Sequence, residues 1–157
     1  MRSRSQYPEG VAATVVMRED LMIALSADHP LAKSSSISAR ELRNEAFIVP
    51  QFSESEGLGE ILANLGRRGG FDAEPRYRVA DFITALCMTT AGYGVVLVPH
   101  SMKSLAPADV AFRAIGDYRD EIELALAYRT REVAPCVKKF VDATIARYPR
   151  QSSSRRR

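Results

Sequence analysis

The sequence predicts an α/β domain in which short buried strands alternate with amphipathic helices. Three observations carry this. Residues 79–99 read as a capped helix, a glycine turn and an apolar strand closed by proline. Leu58, Ile61, Leu62 and Leu65 recur at helical spacing between two strand-like runs, 47–49 and 76–79. A final helix with its own apolar positions follows a strand at 121–128, with Pro135 in its first turn. Alternation of this kind predicts a mainly parallel sheet with helices on both faces.

Residues 1–8 form an irregular lead. Residues 11–16 and 21–25 are two apolar, strand-like runs, separated by Met17, Arg18, Glu19 and Asp20. Ser38 with Glu41 makes a capping-box pattern, which predicts a short helix over 39–44. Phe47, Ile48 and Val49 make a short buried strand that Pro50 ends. A polar loop, 51–56, leads into a helix over 57–67, which Gly69 and Gly70 stop. After the strand at 76–79, Asp81 can accept from the free N–H groups of the next helix. Phe82, Ala85, Leu86 and Thr89 give that helix its stripe, and Gly92 ends it in a left-handed conformation. Gly94 keeps the turn tight, and residues 95–98 are all apolar, as in a strand covered on both faces. A strand at 110–115 turns at Gly116 and Asp117. The last helix spans 135–147 with Val137, Phe140, Val141 and Ile145 as its buried face.

The 157 residues suffice for one ordinary domain with a core, and 46% apolar and 26% charged residues match a soluble globular protein. No apolar run has the length of a membrane span, and no signal-peptide core follows the basic start. The expectation is a cytoplasmic protein without membrane contact. The net charge of +3 rests on Arg2, Arg4, Arg155, Arg156 and Arg157, all in polar ends. Without those five the basic residues fall two short of the acidic ones, so the folded part is near neutral. Residues 149–157 read as a disordered, solvated basic tail. Arg67, Arg68, Arg76 and Arg78 flank Tyr77, but no recognition helix or RNA-binding aromatic pattern accompanies them. Cys87 and Cys136 lack metal or redox spacing and read as buried free thiols.

The order Asp81, Ala85-Leu86, Ala91-Gly92-Tyr93-Gly94-Val95 and Leu97-Val98-Pro99 resembles the effector-binding domain of LysR-type transcriptional regulators. Residues 19–32, ending in His29-Pro30-Leu31-Ala32, look like that family's strand and turn, and residues 42–50 like the short helix and strand that follow. The resemblance spans about 11–148. It implies a periplasmic-binding-protein-like (type 2) fold with two α/β lobes joined by two crossing strands, here near 21–25 and 123–128. On that template, 1–25 is a remnant of the first lobe with a hinge strand, 26–122 is a complete second lobe, and 123–148 is the other hinge strand with a helix returning to the first lobe. The family's N-terminal helix-turn-helix, its linker helix and about half of the first lobe have no counterpart, so the expectation is a truncated regulator or a fragment.

No catalytic constellation stands out. His29 and His100 have no partner at metal-ligand spacing, and the serines lack a nucleophile-elbow setting. Gly92 and Gly94 follow a helix and precede a strand, the reverse of a phosphate cradle. The expectation is a binding protein, not an enzyme, without cofactor or metal. The best site candidate is residues 50–58, which join a strand's carboxyl end to a helix's amino end, where ligands bind in open α/β sheets. Gln51, Phe52, Ser53, Ser55, Gly57 and Leu58 are the candidate contacts, and the resemblance implies that this loop lines the cleft between lobes. Ser53 and Glu56 serve equally as a helix cap. Glu54 and Glu56 weaken the case for a strongly anionic ligand. Thr84 and Ala125 are second candidates, although hinge packing explains most residues there. The resemblance thus implies a sensor that binds a small metabolite between two lobes to modulate transcription, as a possible homo-oligomer, with no specific DNA binding by this chain alone. The alternatives are a small solute-binding α/β protein and a fragment without a ligand.

Overall fold

Residues 11–26 form one continuous strand, β1 (Val11–Ser26), where the apolar pattern predicts two runs. The polar break is accommodated because its charges have partners. Arg18 Nε donates to Glu123 at 2.8 Å, Glu19 accepts the Ser101 backbone N–H at 2.7 Å, and Asp20 receives two bonds from Arg119 at 2.8 and 2.9 Å. The structure, a computed structural model, describes residues 7–50, 56–131 and 134–148. The chain divides into two units, Glu19–Ile122 and a smaller one of Met1–Arg18 with Glu123–Arg157.

In the larger unit, β1 is followed by β2 (Ser36–Ile37), β3 (Phe47–Pro50), helix α1 (Glu56–Gly69), β4 (Pro75–Val79), helix α2 (Phe82–Thr90), β5 (Val96–Pro99) and β6 (Val110–Ile115). Then β7 (Glu121–Arg129) and helix α3 (Pro135–Arg147) follow. The main sheet runs β2-β6-β1-β5, with β7 also paired to β1. β1 is antiparallel to β5 (Ile23 opposite Leu97) and to β6 (Ala24 opposite Phe112). β2–β6 and β3–β4 are parallel pairs. The sheet is therefore mixed and not mainly parallel. The parallel β3–β4 pair needs its crossover helix, α1, whereas β1 enters without one and lies between strands of opposite direction. An apolar run buried on both faces carries no mark of its direction.

Period-two alternation sorts the core into two faces. Leu21, Ile23 and Leu25 pack with Phe47, Val49, Val95, Leu97 and the α1 residues Leu62 and Leu65. Ala24, Ile48, Val96 and Val98 pack on the other face with Ala85 and Leu86 of α2. α1 and α2 thus cover opposite faces of β3. Asp81 caps α2, accepting the Thr84 N–H at 2.7 Å, and Gly92 leaves the helix with φ of +77°. Glu41 Oε2 accepts both the Ser38 N–H at 2.7 Å and its hydroxyl at 2.8 Å, although the helix it opens is a single 3-10 turn, Ala39–Leu42.

Two burial expectations are corrected. Cys87 and Cys136 are both exposed. Ala85, Leu86 and Thr89 point α2 inward, which turns Cys87, with Ile83 and Thr84, outward. On α3, Val141 is buried, Ile145 half-buried, Val137 37% exposed and Phe140 62% exposed. Helical spacing marks an apolar face, but burial needs a facing layer, and Val141 is the single core residue that the smaller unit contributes among the described residues. No helix among the described residues is long and apolar enough to cross a membrane.

Candidate functional site

The carboxyl end of β3 and the start of α1 enclose a crevice. Its walls are Phe47 to Pro50 of β3, Leu58 and Leu62 of α1 and Leu97 of β5. Its volume is about 10 Å³, room for one water or the tip of an apolar group. Among the described residues no charged side chain lines it. The strand supplies apolar walls because β3 is buried throughout. Leu58 and Leu62, one helical turn apart, present the same face of α1. Phe47, in the crevice wall, stacks on Phe71 of the α1–β4 connection with ring centroids 6.2 Å apart. Arg67 and Arg68 sit in the last turn of α1, so its basic charges lie far from this end and complement the helix dipole.

Of the residues singled out in sequence, Leu58 lines the crevice and is buried. Gly57 is the second residue of α1. Gln51, Phe52, Ser53 and Ser55 lie outside the described residues. Thr84 is exposed in the first turn of α2, on the opposite side of β3 from α1, and does not line the crevice. Ala125 is half-buried on β7, in the smaller unit. Sequence reading did not single out Leu62 or Leu97 as contacts. Leu62 was within reach, since it follows Leu58 by four positions on a recognised helix. Leu97 was not, because its place depends on β5 lying beside β3.

His29 and Arg113, away from the crevice, serve structure. His29 Nδ1 accepts the Leu31 N–H at 3.2 Å and Nε2 lies 3.2 Å from Glu45, so the ring caps the turn Pro30–Lys33 and holds the segment before β3. This places the ring proton on Nε2. Arg113 donates to the Ala32 carbonyl. Among the described residues no cluster of His, Cys, Asp or Glu could hold a metal ion. A wider surface depression of about 620 Å³ lies in the smaller unit beside Glu9, Arg129 and Arg131. There Thr130 commits both its N–H (2.9 Å) and its hydroxyl (3.1 Å) to the Gly10 carbonyl.

An α/β lobe with an apolar crevice at a strand's carboxyl end, beside the start of a helix, is the architecture of a ligand-binding domain. The chain belongs to the LysR substrate-binding domain family, whose model matches residues 1–148. It is 28% identical over 128 residues to the HTH-type transcriptional regulator BudR of Raoultella terrigena, covering 82% of this chain and 44% of that protein. It is 33% identical over 122 residues to the HTH-type transcriptional regulator TdfR of Cupriavidus pinatubonensis, covering 71% and 41%. The chain thus spans less than half the length of these relatives. In fold it is similar to the LysR family regulator CbnR, with TM-score 0.78 and 21% identity over 92% of this chain and 50% of that one. It is also similar to the BenM effector-binding domain with its effector benzoate (TM-score 0.72, 21% identity, 90% and 65% covered) and to the QuiR effector-binding domain with shikimate (0.75, 18%, 90% and 68%). The type 2 periplasmic-binding-like fold expected from the sequence is the fold of these neighbours.

Proposed function

We propose that this chain is the effector-sensing part of a LysR-type transcriptional regulator, and that it holds a small organic metabolite at the β3–α1 junction. The observation that carries this is the crevice, lined among the described residues by apolar side chains alone, where the strand ends and the helix begins. Leu58 and Gly57 are proposed contacts, with Leu62 and Leu97 of the crevice wall, and so are Gln51, Phe52, Ser53 and Ser55, which lie outside the described residues. A crevice of about 10 Å³ seats only the edge of a ligand.

The protein binds its ligand without transforming it, works in the cytoplasm, and acts on DNA only as part of a longer regulator. Self-association would use the outer face of α2. That helix has no charged residue, Ile83 (47%) stands exposed on it, and Tyr93 (54%) is exposed beyond its end.

A thermal-shift screen tests the reading with benzoate, shikimate, benzamide, benzylamine and leucine. The expected result is a saturable rise in Tm with at least one, worth about 2.7 kcal/mol at a hundredfold excess over Kd. A cooperatively melting sample that responds to none of them would contradict it.

A further inference from the structure

Tyr118 bridges α1 and the point where the chain turns into β7. Its ring packs half-buried against the larger core beside Ile61 and Ile122. Its hydroxyl lies 3.1 Å from the Ile61 carbonyl oxygen and 3.0 Å from Asp120 Oδ2. Both neighbours are acceptors and a phenol has one proton, so one full hydrogen bond can form at a time. Burial, and then the Asp120 carboxylate, push the phenol pKa up, which keeps Tyr118 a donor at ordinary pH. α1 is tied to the same segment a second time, where Arg68 Nε donates to the Asp117 carbonyl at 2.8 Å.

Asp120 in turn holds two strands. Its carbonyl accepts the Leu21 N–H of β1 at 3.2 Å, and its Oδ1 accepts the N–H of Glu121, the first residue of β7, at 2.8 Å. By β1 the chain enters the larger unit, and by β7 it leaves. We infer that Tyr118 is a positioning residue that couples the ligand end of α1 to β1 and β7, by giving its single proton either to Ile61 or to Asp120. The identity of that end of α1 as the ligand end rests on the function proposed above. The two arrangements are discrete, because the proton bonds one oxygen or the other. A shift of α1 that lengthens the contact to Ile61 hands the proton to Asp120, and the hold on Leu21 and Glu121 changes with it.

The coupling can be read without a ligand, by amide hydrogen exchange at Leu21 and Glu121. Leu58→Ala disturbs the first turn of α1. In the wild-type background it should speed exchange at both amides about three- to tenfold, the range of one hydrogen bond. In the Tyr118→Phe background, where the ring remains and the hydroxyl is gone, the same substitution should change them less than twofold. Exchange at Val96 and Val98 of β5 corrects for global destabilisation, and Leu58→Val repeats the comparison at smaller cost. Equal effects in the two backgrounds, or no effect at either amide in the wild type, would overturn the inference. An empty ligand screen bears on the reading of the site and leaves this coupling to stand or fall by itself.

Discussion

Gly94 passes so close to Ala46 that a Cβ on Gly94 would overlap the Ala46 carbonyl oxygen. That oxygen accepts the Val95 N–H at 2.9 Å, and Ile48 donates to the Val95 carbonyl at 2.9 Å, which joins β3 to the start of β5. Gly94 has φ of +158°, a conformation that side chains disfavour. The crevice depends on this join, because it sets Leu97 beside β3.

Gly94→Ala should therefore destabilise the protein by more than about 2 kcal/mol, through backbone strain and displacement of the Ala46 carbonyl. Gly59→Ala is the contrast. It lies inside α1, and an added Cβ meets nothing within 4 Å. That substitution should stabilise by about 0.5–1 kcal/mol. Urea denaturation of both variants measures the pair.

Helices α1 and α3 should respond differently to truncation of their apolar stripes. Leu65, fully buried on α1, should cost about 2–5 kcal/mol as Leu65→Ala. Phe140→Ser on α3 should change stability by no more than about 0.5 kcal/mol, since the ring is 62% exposed. Equal losses from the two substitutions in denaturant melts would contradict the assignment of the core.

Two helix caps should weaken in acid. The Thr84 backbone N–H at Asp81, and the Ser38 backbone N–H at Glu41, hold these carboxyls below their usual values of 3.8 and 4.5. A carboxyl with a lowered folded-state pKa adds stability above its unfolded value and loses it as pH falls through the folded one. Asparagine also caps helices but does not titrate. The Tm of the wild type relative to Asp81→Asn should therefore fall between about pH 5 and about pH 2, and stay flat above that range. A constant difference across the whole range would show that Asp81 is not the cap.

Much of the larger unit was legible because its signals are local. Asp81, the stripe of α2 and Gly92 lie within a dozen residues and specify one capped helix. The capping pair Ser38 and Glu41 was equally readable. What escaped depends on partners far along the chain. Glu19 and Asp20 read as a break in β1 because their partners, Ser101 and Arg119, are supplied only by the fold. Phe140 reads as core by spacing, yet spacing cannot say whether a layer faces it. In the site, Leu58 was legible from its place on the helix, whereas Leu97 and the bond of Tyr118 to the Ile61 carbonyl required the strands and loops to be assembled.

Methyl NMR tests the central claim most directly. The chain, labelled at leucine methyls, is titrated with benzoate, shikimate, benzamide, benzylamine and leucine. If the β3–α1 junction is the effector site, at least one compound will shift Leu58, Leu62 and Leu97 saturably, and more than Leu105 or Leu124, which are exposed elsewhere. Saturable shifts that leave Leu58, Leu62 and Leu97 unmoved, or none with any compound in a folded sample, would contradict the account.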